Sequence, residues 1–308
     1  MIVRTQFPDL FLTDALPALD EIIFQEFDPF PPQFSRVFRV LSSKRSIEQT
    51  TQLSGIGLPA QIPEGGDVVY DQPVQGFDKT YVHQQFGLGF KISRVMADDD
   101  RWGVIKKMAV ELGRSMRERI ELDVAAHFNN GFDPAYPGPD GKPLFATDHP
   151  LVKAGGTQKN RPTVAADLDV ASLQIALTDF RLMKDSSGKK IRVPAKTLIV
   201  PPDLEFTAAE ILEGRMRSDT ANNTVNAFRH RDTFGGFTDW MVWDYLTDPD
   251  AWFVVAPRER TELRFYWREK PNTMHDVDFD SRTIKTAMWM RYSHGWSDFY
   301  GVYGSPGA

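Results

Sequence analysis

The residues that could carry out chemistry are few and scattered. The chain contains no cysteine, which excludes thiol nucleophiles, disulfides and thiolate metal sites. No two histidines share the i, i+4 helical spacing or the short strand spacing that chelates a metal. We therefore predict no metal site and no cofactor. The six histidines are at positions 83, 127, 149, 230, 275 and 294. His149, in TDHP, is expected in a turn and His127 at the flank of a helix.

Motifs for nucleophilic catalysis and phosphate binding are missing or lie in the wrong context. The G-x-S-x-G pattern of a nucleophile elbow does not occur. The segment 55–60 reads GIGLPA and matches G-x-G-x-x-A. Pro63, Gly65 and Gly66 follow it, where a helix N-terminus should receive a pyrophosphate. We predict no catalytic residue and no dinucleotide site.

Two groups of carboxylates could in principle serve as general acids and bases. Asp98, Asp99 and Asp100 precede a helical pattern, where acidic side chains complement the exposed amides of a helix start. Asp276, Asp278 and Asp280 alternate with the apolar Val277 and Phe279, as on the solvent face of a strand that enters a turn. Both groups are therefore interpreted as structural.

Composition indicates a soluble globular protein. Of the 308 residues, 41% are hydrophobic and 25% charged, and the formal net charge is -6. A protein that neutralises many phosphates is usually basic, so a dedicated nucleic-acid binder is disfavoured. No apolar run approaches the roughly 20 residues of a membrane span, and the N-terminus lacks a secretory pattern. The chain is expected to stay in the cytoplasm where it is made.

The first 36 residues combine prolines with many aromatic side chains. The prolines predict an extended arm with an amphipathic turn or two instead of a long helix. The aromatics must be buried either in the chain's own core or against a neighbour, and the sequence leaves both possibilities open. The phenylalanines are Phe7, Phe11, Phe24, Phe27, Phe30 and Phe34.

Residues 47–78 have no helical period and contain five glycines and three prolines. So long an unpatterned segment is unusual inside a compact domain. Strand alternation begins directly after it, with apolar residues on even positions from Val82 to Ile92. This pattern predicts a long two-stranded projection.

The strongest helix is predicted over about residues 100–131. Apolar residues recur every three or four positions and form one stripe that should face a core. Asn129, Asn130 and Gly131 provide the stop signal. The stripe consists of Ile105, Met108, Leu112, Met116, Ile120, Val124 and Phe128.

The second half of the chain mixes helices and strands. A Gly- and Pro-rich loop over 133–162 marks a plausible domain boundary. A helix should then end near Gly188, followed by a strand over 191–200 and a short helix from Pro202 to Gly214. The remainder is rich in strands, so the fold class is α+β.

Two segments are similar to a known family. LFATDHPLVKAGG (144–156) resembles the stretch after the long helix in the Mu-like branch of tailed-phage head subunits. IRVPAKTLIVPPDLEFTAAEILEG (191–214) is similar to that family's "P..LvVPp.le..A..ll" segment. The order of elements over nearly the whole chain resembles tailed-bacteriophage major capsid proteins, whose fold is shared with herpesvirus capsid floors and encapsulins.

The resemblance implies an α+β major-capsid fold with an N-terminal arm, an extended β-hairpin loop, a peripheral domain carrying a long spine helix, and an axial domain. The implied ranges are 1–36 for the arm, 47–78 for the extended loop, 37–46, 79–163 and 259–308 for the peripheral domain with its spine helix at about 100–131, and 164–258 for the axial domain.

The resemblance also implies a function: a structural subunit of an icosahedral capsid that forms hexamers and pentamers around double-stranded DNA. The implied partners are copies of itself, a portal, a separate scaffolding protein and, by weak non-specific contact, packaged DNA, with no membrane. The implied location is the virion capsid, assembled in the bacterial host cytoplasm. Expected contacts between subunits are Ile56, Leu58, Pro59, Ile62, Glu64, Val68 and Tyr70 in the loop, and Phe7, Phe11, Phe24 and Phe27 in the arm.

Two alternatives remain open. An encapsulin-type nanocompartment would have the same fold and enclose a cargo enzyme instead of DNA. An α+β enzyme using Asp or His residues would show a closed pocket with a titrating group of perturbed pKa.

Overall fold

The computed structural model describes residues 16–27, 32–93, 95–96, 102–214, 226, 228, 237, 239–278, 280–281 and 283–308. The helices are α1 (Leu16–Phe27), α2 (Phe34–Val37), α3 (Trp102–Asn129), α4 (Val170–Leu182) and α5 (Glu205–Glu213), with a 3-10 turn at Pro202–Leu204. The strands are β1 (Arg39–Ser42), β2 (Ile47–Leu53), β3 (Gln75–Val82), β4 (Gln84–Ser93), β5 (His149–Pro150), β6 (Thr157–Gln158), β7 (Thr197–Val200), β8 (Asp239–Val242), β9 (Trp252–Val255), β10 (Leu263–Asp278), β11 (Thr283–Trp296) and β12 (Val302–Ser305). The fold class is α+β, as predicted.

The first sheet has the strand order β1-β10-β11-β4. β1 runs parallel to β10, and the other neighbours are antiparallel. β10 and β11 are long, with 16 and 14 residues. Along most of β11, buried and half-buried side chains alternate. This alternation places one face of β11 against a core.

Helix α3 packs across that face. It contains 28 residues, which corresponds to a length of about 40 Å. Six residues of the predicted apolar stripe are at most 3% exposed, and Met108 is half-buried. The stripe shares one core with Ile284, Met288 and Met290 of β11. The helix begins at Trp102 and ends at Asn129, close to the predicted bounds.

The described part of the N-terminal segment is more regular than an extended arm. α1 is a 12-residue helix whose Leu16, Leu19 and Ile23 are buried. Pro17 does not break it, because in the first turn the proline's missing amide would have no helical partner anyway. α1 crosses α3 so closely that a Cβ on Gly113 would lie 2.4 Å from the Ile23 carbonyl oxygen. This part of the N-terminal segment therefore packs on its own chain.

The second sheet has the order β12-β9-β7-β8. All four residues of β9 are buried, because each face of the sheet meets a different core. Phe253 and Val255 belong to the core of α3, and Trp252 and Val254 to the core under α4 and α5. Phe128 at the end of α3 meets Phe253 edge to face, with ring centroids 5.1 Å apart. The two sheets are thus joined by continuous packing.

Residues 259–308 are divided between the two sheets. β10 and β11 belong to the first sheet, whereas β12 pairs with β9 in the second. After β11 the chain turns through Gly301, which has a φ of +78°. The turn brings Val302 into the first core and Tyr303 into the second, so burial decides where the last strand lies.

The strand predicted over 191–200 is also shorter than expected. Only Thr197–Val200 forms a strand. Pro194 has no amide to donate, and Arg192 adopts a positive φ of 54°. Together they delay entry into the sheet.

We expect Leu112→Asp and Ile120→Asp each to abolish soluble expression. Each substitution buries an unpaired carboxylate beneath β11, at a cost of several kcal/mol in the free energy of unfolding. The matched control is Leu122→Asp on the same helix, because Leu122 is 47% exposed. Soluble yield and thermal melting check the set. If the two core variants melt like wild type, the packing of α3 is misassigned.

Candidate interface for self-association

A two-stranded hairpin projects from the first sheet. β2 and β3 pair antiparallel from Ile47 opposite Val82 to Leu53 opposite Gln75. Beyond them, residues 54–74 contain no strand. Ser54 and Val74 close this outer segment, which we call the tip, with Ser54 N donating to the Val74 oxygen at 2.9 Å. The predicted extended hairpin is confirmed, although its strands end well short of the tip.

The tip exposes apolar side chains. Leu58, Val69 and Tyr70 are 81%, 74% and 90% exposed. The tip carries three acidic residues and no basic one. The loop residues predicted as subunit contacts are all exposed: Ile56, Leu58, Pro59, Ile62, Glu64, Val68 and Tyr70.

The predicted arm contacts are distributed differently. Phe24 on α1 is 39% exposed, whereas Phe27 packs partly against the chain's own core. Phe7 and Phe11 lie outside the described residues.

The base of the hairpin is fixed by polar contacts to the end of β11 and the residues after it. Gln52 Nε2 donates to Asp298 Oδ2 at 2.6 Å, and the Tyr81 hydroxyl lies 2.6 Å from Ser297 Oγ. Burial raises the pKa of Asp298 to about 8, while the hydrogen bonds from Gln52 and from the Phe299 amide oppose the rise. A largely protonated Asp298 at neutral pH is therefore part of the anchor.

A network of hydrogen bonds surrounds His83, the single residue between β3 and β4. His83 Nδ1 lies 3.0 Å from Ser293 Oγ, and its Nε2 lies 3.2 Å from Ser43 Oγ. Ser43 Oγ in turn donates to Glu48 Oε1 at 2.7 Å. Desolvation, followed by the charge of Arg291, lowers the pKa of His83.

This hydrogen-bond network contains serine, histidine and an acid, but Glu48 contacts Ser43 and not His83, so it is not arranged as a catalytic relay. Ser43, His83 and Ser293 are only 5%, 5% and 4% exposed. A substrate has no open path to either hydroxyl. The network instead ties β1, β2, β4 and β11 together where the hairpin leaves the body.

A second anchor, farther out on the hairpin, was not predicted. Lys153 Nζ donates to Asp71 Oδ2 at 2.5 Å, to the Gln72 oxygen at 3.0 Å and to the Gly55 oxygen at 3.3 Å. The Lys153 hydrogen bond is the main cause that lowers the pKa of Asp71. Lys153 lies 82 positions from Asp71 in the sequence, and no local pattern signals such a contact.

One histidine prediction is corrected and one is confirmed. His149 is the first residue of β5 instead of a turn residue; it is fully buried, bridges Asp140 and Asn160, and stacks on Phe299 with ring centroids 4.0 Å apart. His127 lies in the last turn of α3, as predicted, and its Nε2 lies 2.7 Å from Nδ1 of His294. Burial lowers the pKa of both members of this pair, that of His294 to about 4. One neutral imidazole can then donate to the other.

The carboxylates behave as structural groups where they are described. Asp278 accepts from the Asp280 amide at 3.1 Å and lies 3.4 Å from Lys285 Nζ, and its pKa is lowered chiefly by a hydrogen bond from the Ser281 amide. Asp98, Asp99 and Asp100 lie outside the described residues.

Within the described ranges, no group of three or more His, Asp or Glu residues is placed to hold a metal ion. Among the helices that the structure describes, none is both long and apolar enough to cross a membrane.

The structure thus combines a long helix packed on one sheet, a second sheet that shares the helix's core, and a projecting hairpin. A family model described as phage capsid protein matches residues 77–305. The chain belongs to this family and is a structural subunit of a phage capsid.

Solved structures support the fold. A procapsid chain of bacteriophage JBD30 is 17% identical, with 95% of this chain and 75% of that chain covered and a TM-score of 0.52. A chain of Mycobacterium phage Bobi is 13% identical, with 88% of each chain covered and a TM-score of 0.51. A virus-like particle from Pyrococcus furiosus is 10% identical, with 95% and 100% covered and a TM-score of 0.52. No curated protein matches the chain.

We expect Asp298→Asn to flatten the decline of stability with rising pH. The carboxyl binds its proton up to about pH 8 in the folded chain, whereas its ordinary pKa is 3.8. Between these values the folded state holds more protons than the unfolded state, so the free energy of unfolding falls as pH rises towards 8. Asn stays neutral and can still accept from Gln52. The variant should match wild type near pH 4 and exceed it at pH 8 by on the order of a few kcal/mol.

The measurement is chemical unfolding of wild type and variant across this pH range. Asp276→Asn is the matched control, since Asp276 is exposed. Parallel curves for Asp298→Asn and wild type would contradict the assignment of a buried, protonated carboxyl.

Proposed function

We propose that this capsid subunit assembles into hexamers and pentamers of an icosahedral shell, with its tip lying on an adjacent subunit. The observation that carries the proposal is the exposed apolar surface of the tip. Ile56, Leu58, Val68, Val69 and Tyr70 are each more than half exposed, and they lie on one short segment. Apolar surface concentrated in this way usually marks a protein contact.

The mode of association follows from the shape of the tip. A slender segment contributes little area per contact, so each interface is weak. A closed shell repeats the contact many times, and repetition converts weak contacts into a stable assembly. The exposed part of Phe24, together with the undescribed residues before it, supplies a second contact in the proposal.

We assign the first sheet and α3 to a peripheral domain, and the second sheet with α4 and α5 to an axial domain. β12 goes with the axial sheet because of its pairing with β9. In the proposal, residues 1–36 form the arm and residues 47–78 the extended loop.

The proposed contents are double-stranded DNA, held by weak non-specific contact. With 36 basic and 42 acidic residues, the chain has no excess of positive charge to drive tight phosphate binding. A wall that does not bind DNA tightly suits a container that must be filled and emptied. The remaining proposed partners are a portal and a separate scaffolding protein, with assembly in the host cytoplasm. The proposal gives the subunit no catalytic role.

A cargo-carrying nanocompartment is the alternative with the same fold. The likeness to the Pyrococcus furiosus particle supports the fold alone. The phage capsid family match favours a virion shell. Particles from infected or induced cells that held a cargo enzyme and no DNA would reverse this choice.

We expect replacement of residues 55–73 by a short Gly-Ser turn to abolish shell formation without unfolding the subunit. Ser54 and Val74 are kept, so the end of the β2–β3 ladder remains closed. Loop-closure entropy changes by only about 1 kcal/mol or less. Negative-stain microscopy counts the shells, and thermal melting reports the fold.

A gentler variant separates surface chemistry from loop length. Leu58→Ser with Tyr70→Ser removes the two most exposed apolar side chains of the tip, and Phe206→Ser on α5 is the matched control because Phe206 is 79% exposed. The double variant should lose shells, and the control should keep them. Normal shells from the shortened chain, or failure of that chain to fold, would overturn the role of the tip.

A further inference from the structure

Lys153 holds both sides of the hairpin at once. Gly55 lies on the outgoing side of the tip, and Asp71 and Gln72 lie on the returning side. All three receive hydrogen bonds from one ammonium group, which has three donors to give. The contact therefore fixes the tip as a unit.

The Lys153 loop is itself held by the body. The Lys153 and Ala154 amides donate to the Ser186 oxygen at 3.0 and 2.8 Å. Ser186 belongs to a turn in which Asp185 Oδ1 accepts from the Ser187 and Lys189 amides. This turn follows α4, whose core lies under the second sheet. Lys153 therefore connects the tip to the turn after α4, which lies next to the second sheet's core.

The fit of the hairpin at this point depends on a glycine. A Cβ on Gly55 would lie 2.8 Å from Ser187 Oγ and 3.0 Å from Asp185 Oδ2. The outgoing side of the hairpin thus passes directly over the turn. Among the described residues, residues 58–70 of the tip make no hydrogen bond to any residue outside the hairpin.

We propose that Lys153 is the positioning residue that sets the direction of the tip and, through it, the curvature of the shell. The inference rests on the proposed function of the tip in self-association. Everything beyond Lys153 projects freely, so a small rotation at Lys153 moves the apolar side chains of the tip by a larger distance.

The exposure of the contact suits such a role. The Lys153 and Asp71 side chains are 19% and 38% exposed. A partly exposed ion pair contributes modestly to stability and is weakened by salt. Such a contact can open and close without unfolding the subunit, so the tip can take slightly different directions around fivefold and sixfold axes.

The test compares Lys153→Met and Asp71→Asn with wild type in the full-length chain. Lys153→Met keeps the alkyl stem and removes the charge. Asp71→Asn weakens the contact from the other side and leaves the Lys153 loop intact. The matched control is Lys159→Met, since Lys159 pairs with Asp179 at 2.9 Å and has no contact with the hairpin among the described residues.

Two measurements are made on each protein. Hydrogen exchange of the unassembled subunit should be faster at the Ser54, Gly57 and Val74 amides, which are hydrogen-bonded within the tip, in both Lys153→Met and Asp71→Asn, with unchanged exchange in α3. Microscopy should show a broadened population of particles, with mixed diameters and open sheets, in place of uniform shells. Lys159→Met should behave as wild type in both measurements.

The outcomes separate the two proposals. The role of Lys153 would be overturned by unchanged hydrogen exchange or uniform particles in both Lys153→Met and Asp71→Asn. An equal effect of Lys159→Met would overturn it as well. If Lys153→Met fails to fold, Asp71→Asn decides. If wild type forms no shells under any condition, the proposed function of the tip fails, while the exchange measurement still tests whether Lys153 holds it.

Discussion

The packing of α3 against the long strands β10 and β11 is the interaction on which the other parts of the molecule depend. Burial of the α3 stripe positions β11. Ser293 near the end of β11, and Ser297 and Asp298 directly after it, fix the hairpin base. The far end of the helix, at Phe128, meets the aromatic side chain of Phe253 and so positions the second sheet. One apolar stripe therefore determines where both the hairpin and the second sheet lie.

The hairpin combines opposite requirements at its two ends. At its base, polar groups are buried or half-buried and hydrogen-bonded to one another, because each unpaired group there would cost free energy. At its tip, apolar groups are left in water, which is unfavourable for the isolated subunit and becomes favourable once another molecule covers them. Lys153 lies between these ends, where the hydrogen-bonded base gives way to the solvent-exposed tip.

The elements that the sequence predicts well are those with a local signal. The period of the α3 stripe and the alternation after residue 82 depend on neighbours three, four or two positions away, and both elements are found. The tip's unpatterned composition likewise identifies it as a projection. Pro17 shows the limit of a local rule, since a proline breaks a helix interior and not a first turn.

What could not be predicted depends on residues far apart in the chain. β12 joins β9 across about fifty residues, and Gln52 meets Asp298 across 246. His127 and His294 are isolated in the sequence and form a pair only when α3 lies on β11. Lys153 looks like an ordinary surface lysine until the hairpin lies over it. Contacts of this kind are set by topology, and a single sequence carries no periodic trace of them.

Strand β9 has a mechanical consequence. Its four side chains alternate between two cores, so the second sheet cannot be displaced without disturbing the packing of both. A tangential pull on one half of the subunit is passed to the other half through close-packed aromatic rings, which have low compressibility. In a container under internal pressure, load would then spread through the body of each subunit, and the strain would be taken up at the seams between subunits.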